Sequence, residues 1–200
     1  TAFNTAVLRI LETGVGILSY TLVTVLLWPG RTQDQLAAAI RQLAATQRDL
    51  YRSYRKLLHG QGEVEETRSL RAQEVQQFNQ FIKALVAART DSYEVWELRR
   101  QWRQAQARAA DVMETLERWR ESFAEVRELE LTAFLPDLDA YNDELATRFD
   151  QIDRMLGGES PEVFPQAVEL PLNKEAAGSL THFQKAALTV MRDRLLKLEA

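Results

Sequence analysis

Glu12 follows Arg9 by three residues at the mouth of a long uncharged stretch, so the two share one face of a helix. A carboxylate at membrane depth is costly and turns toward a cavity, a partner charge or a proton path. Glu12 and Arg9 are therefore the candidates for proton-coupled transport. The plainer alternative is an Arg9–Glu12 pair at the interface, with both side chains snorkelling to water. His59 and His182 are the two histidines and stand far apart, which leaves no spacing for a metal site or a His-based triad. His59 falls at a helix C-terminus, where a cation suits the dipole. The absence of cysteine excludes disulfides, zinc ribbons, iron–sulfur ligation and thiol catalysis. No phosphate-loop, dinucleotide, zinc-protease or nucleophile-elbow motif occurs. Acidic pairs such as Glu65-Glu66 read as solvated helix faces. Trp96, Arg99, Arg100, Trp102 and Arg103 have the side chains to stack on and neutralise single-stranded nucleic acid. Trp102, however, falls in an apolar seam and is expected to be buried. The reading is no catalytic site, no metal, no cofactor and no nucleic acid partner.

The first element that must position Glu12 is apolar. Thr13 to Gly30 is a run of 18 uncharged residues, the lower threshold for a spanning helix. Extended back to Thr5 it reaches roughly 24 residues, or about 36 Å. Gly14 and Gly16 are small enough to let a neighbouring helix approach. Trp28 sits where an indole prefers the headgroups, Pro29-Gly30 stops the helix, and Arg31 opens a basic stretch. The positive-inside rule puts that stretch in the cytoplasm. A signal peptide would show a small-residue exit in place of Leu-Leu-Trp-Pro-Gly. A soluble core helix would explain the Ser19, Thr21 and Thr24 content, whereas an interfacial helix needs a charged face that is absent. The expected organisation is a transmembrane helix over 1–30 and a cytoplasmic helical bundle over 31–200. The first residue is Thr1, not Met, so the chain is read as a piece of a longer protein.

Beyond residue 30 helix breakers are scarce. Eight Gly and five Pro in the whole chain, with 46% apolar and 27% charged residues, suit a folded all-α domain. Between Arg31 and Leu135 there is no proline, and the glycines there are Gly60 and Gly62, which mark one turn. Thr32 with Gln35 forms a capping-box pattern. Leu36, Ile40, Leu43, Gln47, Leu50, Tyr54 and Leu57 make the seam of a first long helix. Val75, Phe78, Ile82 and Leu85 are the inner face expected for a second, over 63–89. Asp91 with Glu94 restarts the chain. Val95, Leu98, Trp102, Ala105, Ala109, Val112, Leu116, Trp119, Phe123 and Val126 then keep a 3,4 spacing that predicts coiled-coil packing. Pro136 ends or kinks that helix. Leu138, Tyr141, Leu145, Phe149, Ile152 and Leu156 give another helix closed by Gly157-Gly158. Residues 157–174 form a loop, and a last helix spans 173–199 with Leu180, Phe183, Leu188 and Leu195 inward. Six basic residues face two acids over 31–59, and nine acids face two arginines over 137–170. The acidic part points away from the membrane or packs beside the basic helix.

Arg9-x-x-Glu12-Thr13-x-x-Gly16, the apolar run closing in Leu27-Trp28-Pro29 and the basic amphipathic helix after it resemble the fusaric acid resistance and aromatic acid exporter (FUSC-like) family. The resemblance implies the sixth transmembrane helix and the first cytoplasmic helical region of a duplicated design. It implies efflux of aromatic carboxylic acids and related toxic compounds across the bacterial inner membrane, driven by the proton gradient. The implied partners are membrane lipid, the remaining transmembrane helices and, for some members, a periplasmic adaptor protein. Two rival readings carry no transport: a membrane-anchored signalling receptor, and a scaffold whose 95–126 seam pairs as a homo-oligomer. A signalling rod calls for two short parallel helices after the membrane, and the Gly60–Gly62 turn predicts an antiparallel hairpin instead.

Overall fold

The computed structural model describes residues 29–160 and 169–198, with side chains from residue 32 onward. The spanning segment expected over 1–30 lies outside them except for Pro29 and Gly30. So do Arg9, Glu12, Gly14, Gly16 and Trp28. The described residues form helices, turns and loops, with no strand among them. Among them no helix is long and apolar enough to cross a membrane.

The first helix, α1 (Pro29–Leu58), is about 45 Å long. Pro29 and Gly30 open it, since proline is well suited to a first helical turn; whether they also stop a helix before them lies outside the described residues. Thr32 therefore lies inside the helix, where its hydroxyl finds no partner, and the expected Thr32–Gln35 box does not form. The helix ends in a Schellman turn. Gly60 takes φ +70, Gly60 N–H donates to Leu57 O at 3.0 Å and Gln61 N–H to Lys56 O at 2.9 Å. The chain reverses there into α2 (Val64–Asp91), which lies along α1 as an antiparallel hairpin. Ser92, not Asp91, caps the short α3 (Tyr93–Glu97), its hydroxyl accepting from Val95 N–H at 3.4 Å. Gln33 of α1 reaches this corner, donating to Ser92 Oγ at 2.8 Å and Glu94 Oε2 at 3.2 Å.

The expected uninterrupted heptad helix is broken. The chain kinks at Leu98, runs as α4 (Arg99–Glu121), and bends again at Ser122 into α5 (Phe123–Val126). Ser122 Oγ donates back to the Trp119 carbonyl at 2.5 Å, a local bond of the kind that bends helices. Leu98 is 46% exposed, so the seam loses one of its ten positions. Val95, Leu116, Trp119 and Val126 are buried as expected, inside the chain's own bundle. The helix ends at Val126, well before Pro136. A single turn, α6 (Leu131–Phe134), then leads into α7 (Leu138–Leu156), which a second Schellman turn closes at Gly158, φ +95. The final helix, α8 (His182–Leu196), starts later than expected, after a 3₁₀ turn over Ala176–Ser179. Thr181 and Gln184 cap it reciprocally. Ile152 and Phe183, expected inside, are exposed.

Charge complements the apolar packing of α7 on α1. The helix packs beside α1, not away from it, through Arg48–Asp153 at 2.7 Å, Arg52–Asp150 at 2.8 Å, Arg55–Asp143 at 2.6 Å and His59–Asp139 at 3.4 Å. The numbers run in opposite directions along the two helices, as an antiparallel pair requires. These pairs are half-exposed, so each contributes well under about 1 kcal/mol and serves mainly to set the register.

Two apolar cores result. The larger gathers Leu50, Tyr51 and Tyr54 of α1 with Leu116, Trp119, Tyr141, Leu145, Leu188 and Met191. The smaller gathers Leu36 and Leu43 with Phe81, Leu85, Ala88 and Val95, and Trp102 packs on its edge. On α1, the residues that separate them are Thr46 and Gln47, both buried.

Candidate functional site

The inward row of α2 is Thr67, Glu74, Phe81 and Ala88, a strict seven-residue repeat joined by Leu85. Of the expected inner face, Leu85 is buried and Phe78 packs on the smaller core, but Val75 is 45% exposed and Glu74 and Phe81 take the inward row in place of Val75 and Ile82. That exchange turns a carboxylate inward: Glu74 is 3% exposed. It lies in the polar layer between the two cores, beside Gln47, whose amide donates to the Ala109 carbonyl at 3.0 Å. Glu74 Oε1 and the neighbouring Gln77 Oε1 have no hydrogen-bond partner. Burial pushes the Glu74 carboxyl up to about 7; the Gln47 amide and Arg71 pull it down, and the charge of Glu117 adds to the rise. A carboxyl so placed changes its proton occupancy near neutral pH.

On the facing helix stands a second carboxylate with the opposite environment. Glu117 of α4 pairs with Arg71 of α2 and with Arg120 one turn on, and accepts from Tyr54 Oη at 3.2 Å. Burial pushes Glu117 up, but the hydrogen bonds and charges of Arg120 and Arg71 outweigh it and hold the carboxyl below the ordinary range. Burial, followed by the charge of Glu117, pushes the Tyr54 hydroxyl well above its usual value, so it stays a donor. Ser53 and Thr67 share a buried hydrogen bond of 2.9 Å on the same α1–α2 face.

Beside this network, and lined in part by its Tyr54, Thr67, Arg71 and Arg120, a groove of about 780 Å³ opens between the 59–64 turn and residues 120–132. Leu57, Phe123 and Val126 give it an apolar wall, and Arg68, Arg71, Arg120 and Arg127 line its polar side. Arg68 pairs with Glu65 at 2.8 Å; Arg127 has no ion-pair partner among the described residues. An apolar wall beside guanidinium groups has the chemistry to hold a small amphipathic anion. Among the described residues no cluster of three metal-ligating side chains forms.

Of the residues singled out by sequence, Arg31 lies in the first turn of α1, and Arg9, Glu12, Gly14, Gly16 and Trp28 fall outside the described part. Trp102 is half-buried against the smaller core, as its seam position implies, whereas Trp96 is exposed. Glu74 and Glu117 escaped notice. The available signal was the 67–74–81–88 repeat, which an apolar-only search passes over because Glu74 occupies it.

Fold and site together define an all-helical bundle organised around a buried ionisable layer. The chain belongs to the fusaric acid resistance protein family, which it matches over residues 1–198. The family has a role in membrane transport and resistance. Comparison with curated proteins and with solved structures found no match.

Proposed function

We propose that the chain is part of a bacterial inner-membrane efflux transporter that exports aromatic carboxylic acids or related toxic compounds, driven by protons. The observation that carries this reading is the family match, which covers the apolar run and the bundle together. Residues 1–30 cross the bilayer as the sixth helix of the first membrane half, with Gly14 and Gly16 in helix packing and Trp28 and Arg31 at the interface. Glu12, with Arg9, carries the coupled proton. Residues 31–200 are the cytoplasmic domain that tethers and couples the two halves. The antiparallel α1–α2 hairpin supports this over a signalling rod, because it offers no continuous parallel track away from the membrane. The burial of Val95, Leu116, Trp119 and Val126 within the bundle supports it over a scaffold that would need them free.

Export of radiolabelled benzoate-type acids from cells, with and without the full-length protein, tests the reading. Loss of the protein is expected to raise intracellular acid, and Glu12→Gln to flatten the dependence of export on external pH. Equal accumulation in both strains across a panel of aromatic acids would remove the exporter assignment. Unaltered pH dependence in Glu12→Gln would remove Glu12 alone.

A further inference from the structure

Large apolar side chains on the described surface are mostly scattered, but one corner concentrates them. Tyr93 is 73% exposed, and Trp96 and Leu98 are each 46% exposed. Tyr93 and Trp96 stack with ring centroids 5.7 Å apart, and the Arg99 guanidinium lies 4.3 Å over the Trp96 ring. An aromatic pair held rigid in water, with a cation above it, is an arrangement suited to a surface that is apolar below and charged above.

The position of this corner says which surface. The two Gln33 hydrogen bonds fasten Ser92 and Glu94 to the first turn of α1. Gln33 is four residues past Pro29, about 6 Å along the helix. The polar zone of a bilayer leaflet is itself about 5–8 Å deep. If the uncharged run ending at Gly30 leaves the hydrocarbon there, Tyr93 and Trp96 sit level with the headgroups, where tyrosine and tryptophan are enriched. Charge agrees: residues 89–108 carry five arginines against three acids, and from Leu98 to Ala110 there are four arginines and no acid. Within residues 92–100 Glu94 and Glu97 balance Arg99 and Arg100, so the positive excess comes from Arg103 and Arg108 further along α4 and from Arg89 before the corner.

We propose that the corner spanning residues 92–100 is a second membrane contact, resting on the anionic lipid surface beside the point where the chain leaves the bilayer. Tyr93, Trp96 and Leu98 enter the headgroup zone, and Arg99 and Arg100 meet lipid phosphates. The inference rests on the reading of residues 1–30 as the spanning segment. One contact leaves a bundle free to turn about its connecting helix, whereas two fix which face it shows to the bilayer.

These 200 residues hold no cysteine, so single-cysteine labelling needs only that any cysteine elsewhere in the full-length protein first be replaced by serine. An environment-sensitive fluorophore is placed by Trp96→Cys, Leu98→Cys, Phe183→Cys or Tyr20→Cys in the full-length protein, reconstituted in phosphatidylethanolamine/phosphatidylglycerol vesicles. Lipids carrying a nitroxide at the headgroup or deep in the acyl chain serve as quenchers. Labels at 96 and 98 are expected to be quenched several-fold more by the headgroup nitroxide than the label at 183. The label at 20 should respond to the deep nitroxide. Position 98 gives an independent reading should Trp96→Cys disturb the stack. Quenching at 96 and 98 no greater than at 183, with 20 quenched, overturns the contact and leaves the span intact. Labels at 96 and 98 shielded from aqueous iodide yet unquenched by lipid would put protein there, and also overturn it. Absence of quenching at 20 would remove the spanning reading first, and the contact with it.

Discussion

Glu74 and Glu117 show how two like side chains on facing helices acquire opposite properties from their surroundings. The folded state raises Glu74 to about 7, so between about 4.5 and 7 it binds more protons than the unfolded chain, and stability falls as pH rises through that window. A rise from 4.5 to about 7 corresponds to about 3 kcal/mol. Glu117 is held low, so its contribution is present above the ordinary glutamate range and is lost as pH falls below it. Stability of the bundle is therefore expected to peak in mildly acidic solution. Denaturant midpoints measured from pH 3 to 9 check this: Glu74→Gln should raise the midpoint at pH 8 and flatten the upper limb. Glu117→Gln should lower the midpoint at neutral pH and flatten the lower limb. A Glu74→Gln variant less stable than the parent at pH 8 would show that the ionised carboxylate is satisfied in the fold.

At the scale of elements, the two glycines of the 59–62 turn have different jobs. Gly60 supplies a left-handed backbone with open space around it, and Gly60→Ala should cost about 1–2 kcal/mol. At Gly62 an added Cβ would stand 2.8 Å from the Leu57 backbone nitrogen. Gly62→Ala must move backbone and should cost at least as much, about 1–3 kcal/mol. Thermal unfolding followed by circular dichroism orders the two; a Gly62→Ala melt indistinguishable from the parent would refute the close approach. This hairpin, the α7 helix and the cysteine-free all-helical architecture were legible in the sequence, because glycine placement and apolar spacing are local signals. The breaks at Leu98 and Ser122 were not, since nothing in a 3,4 apolar pattern records a serine bonding back to its own helix. On α2, Phe78 and Leu85 were legible, whereas apolarity favoured Val75 over Glu74, and the fold places the carboxyl on the buried row. The choice between two placements of α7 had to wait for the geometry. Sequence supplied complementary charge on α1 and α7, but only the antiparallel numbering shows the pairs meeting.

For the molecule as a whole, the polar layer of Gln47, Glu74 and Gln77 divides the bundle into unequal halves. The larger core surrounds Trp119, which is fully buried, stacks on Tyr51 at 5.6 Å and meets Phe123 edge-on at 4.9 Å. Trp119→Ala should cost about 3–5 kcal/mol and abolish cooperative unfolding of that half. The smaller core has fewer buried partners, so it should open first. Native-state hydrogen exchange is expected to show less protection over residues 33–44 and 81–102 than over 48–58 and 112–121. Uniform protection would mean that the polar layer does not separate the halves. The α1 helix crosses both cores without a break. A rod of about 45 Å is long enough to act as a lever: a 10° change of inclination at Pro29 would carry Leu58 sideways by about 8 Å. Small reorientations at the start of α1 would thus arrive, enlarged, at the arginine-lined groove at its other end.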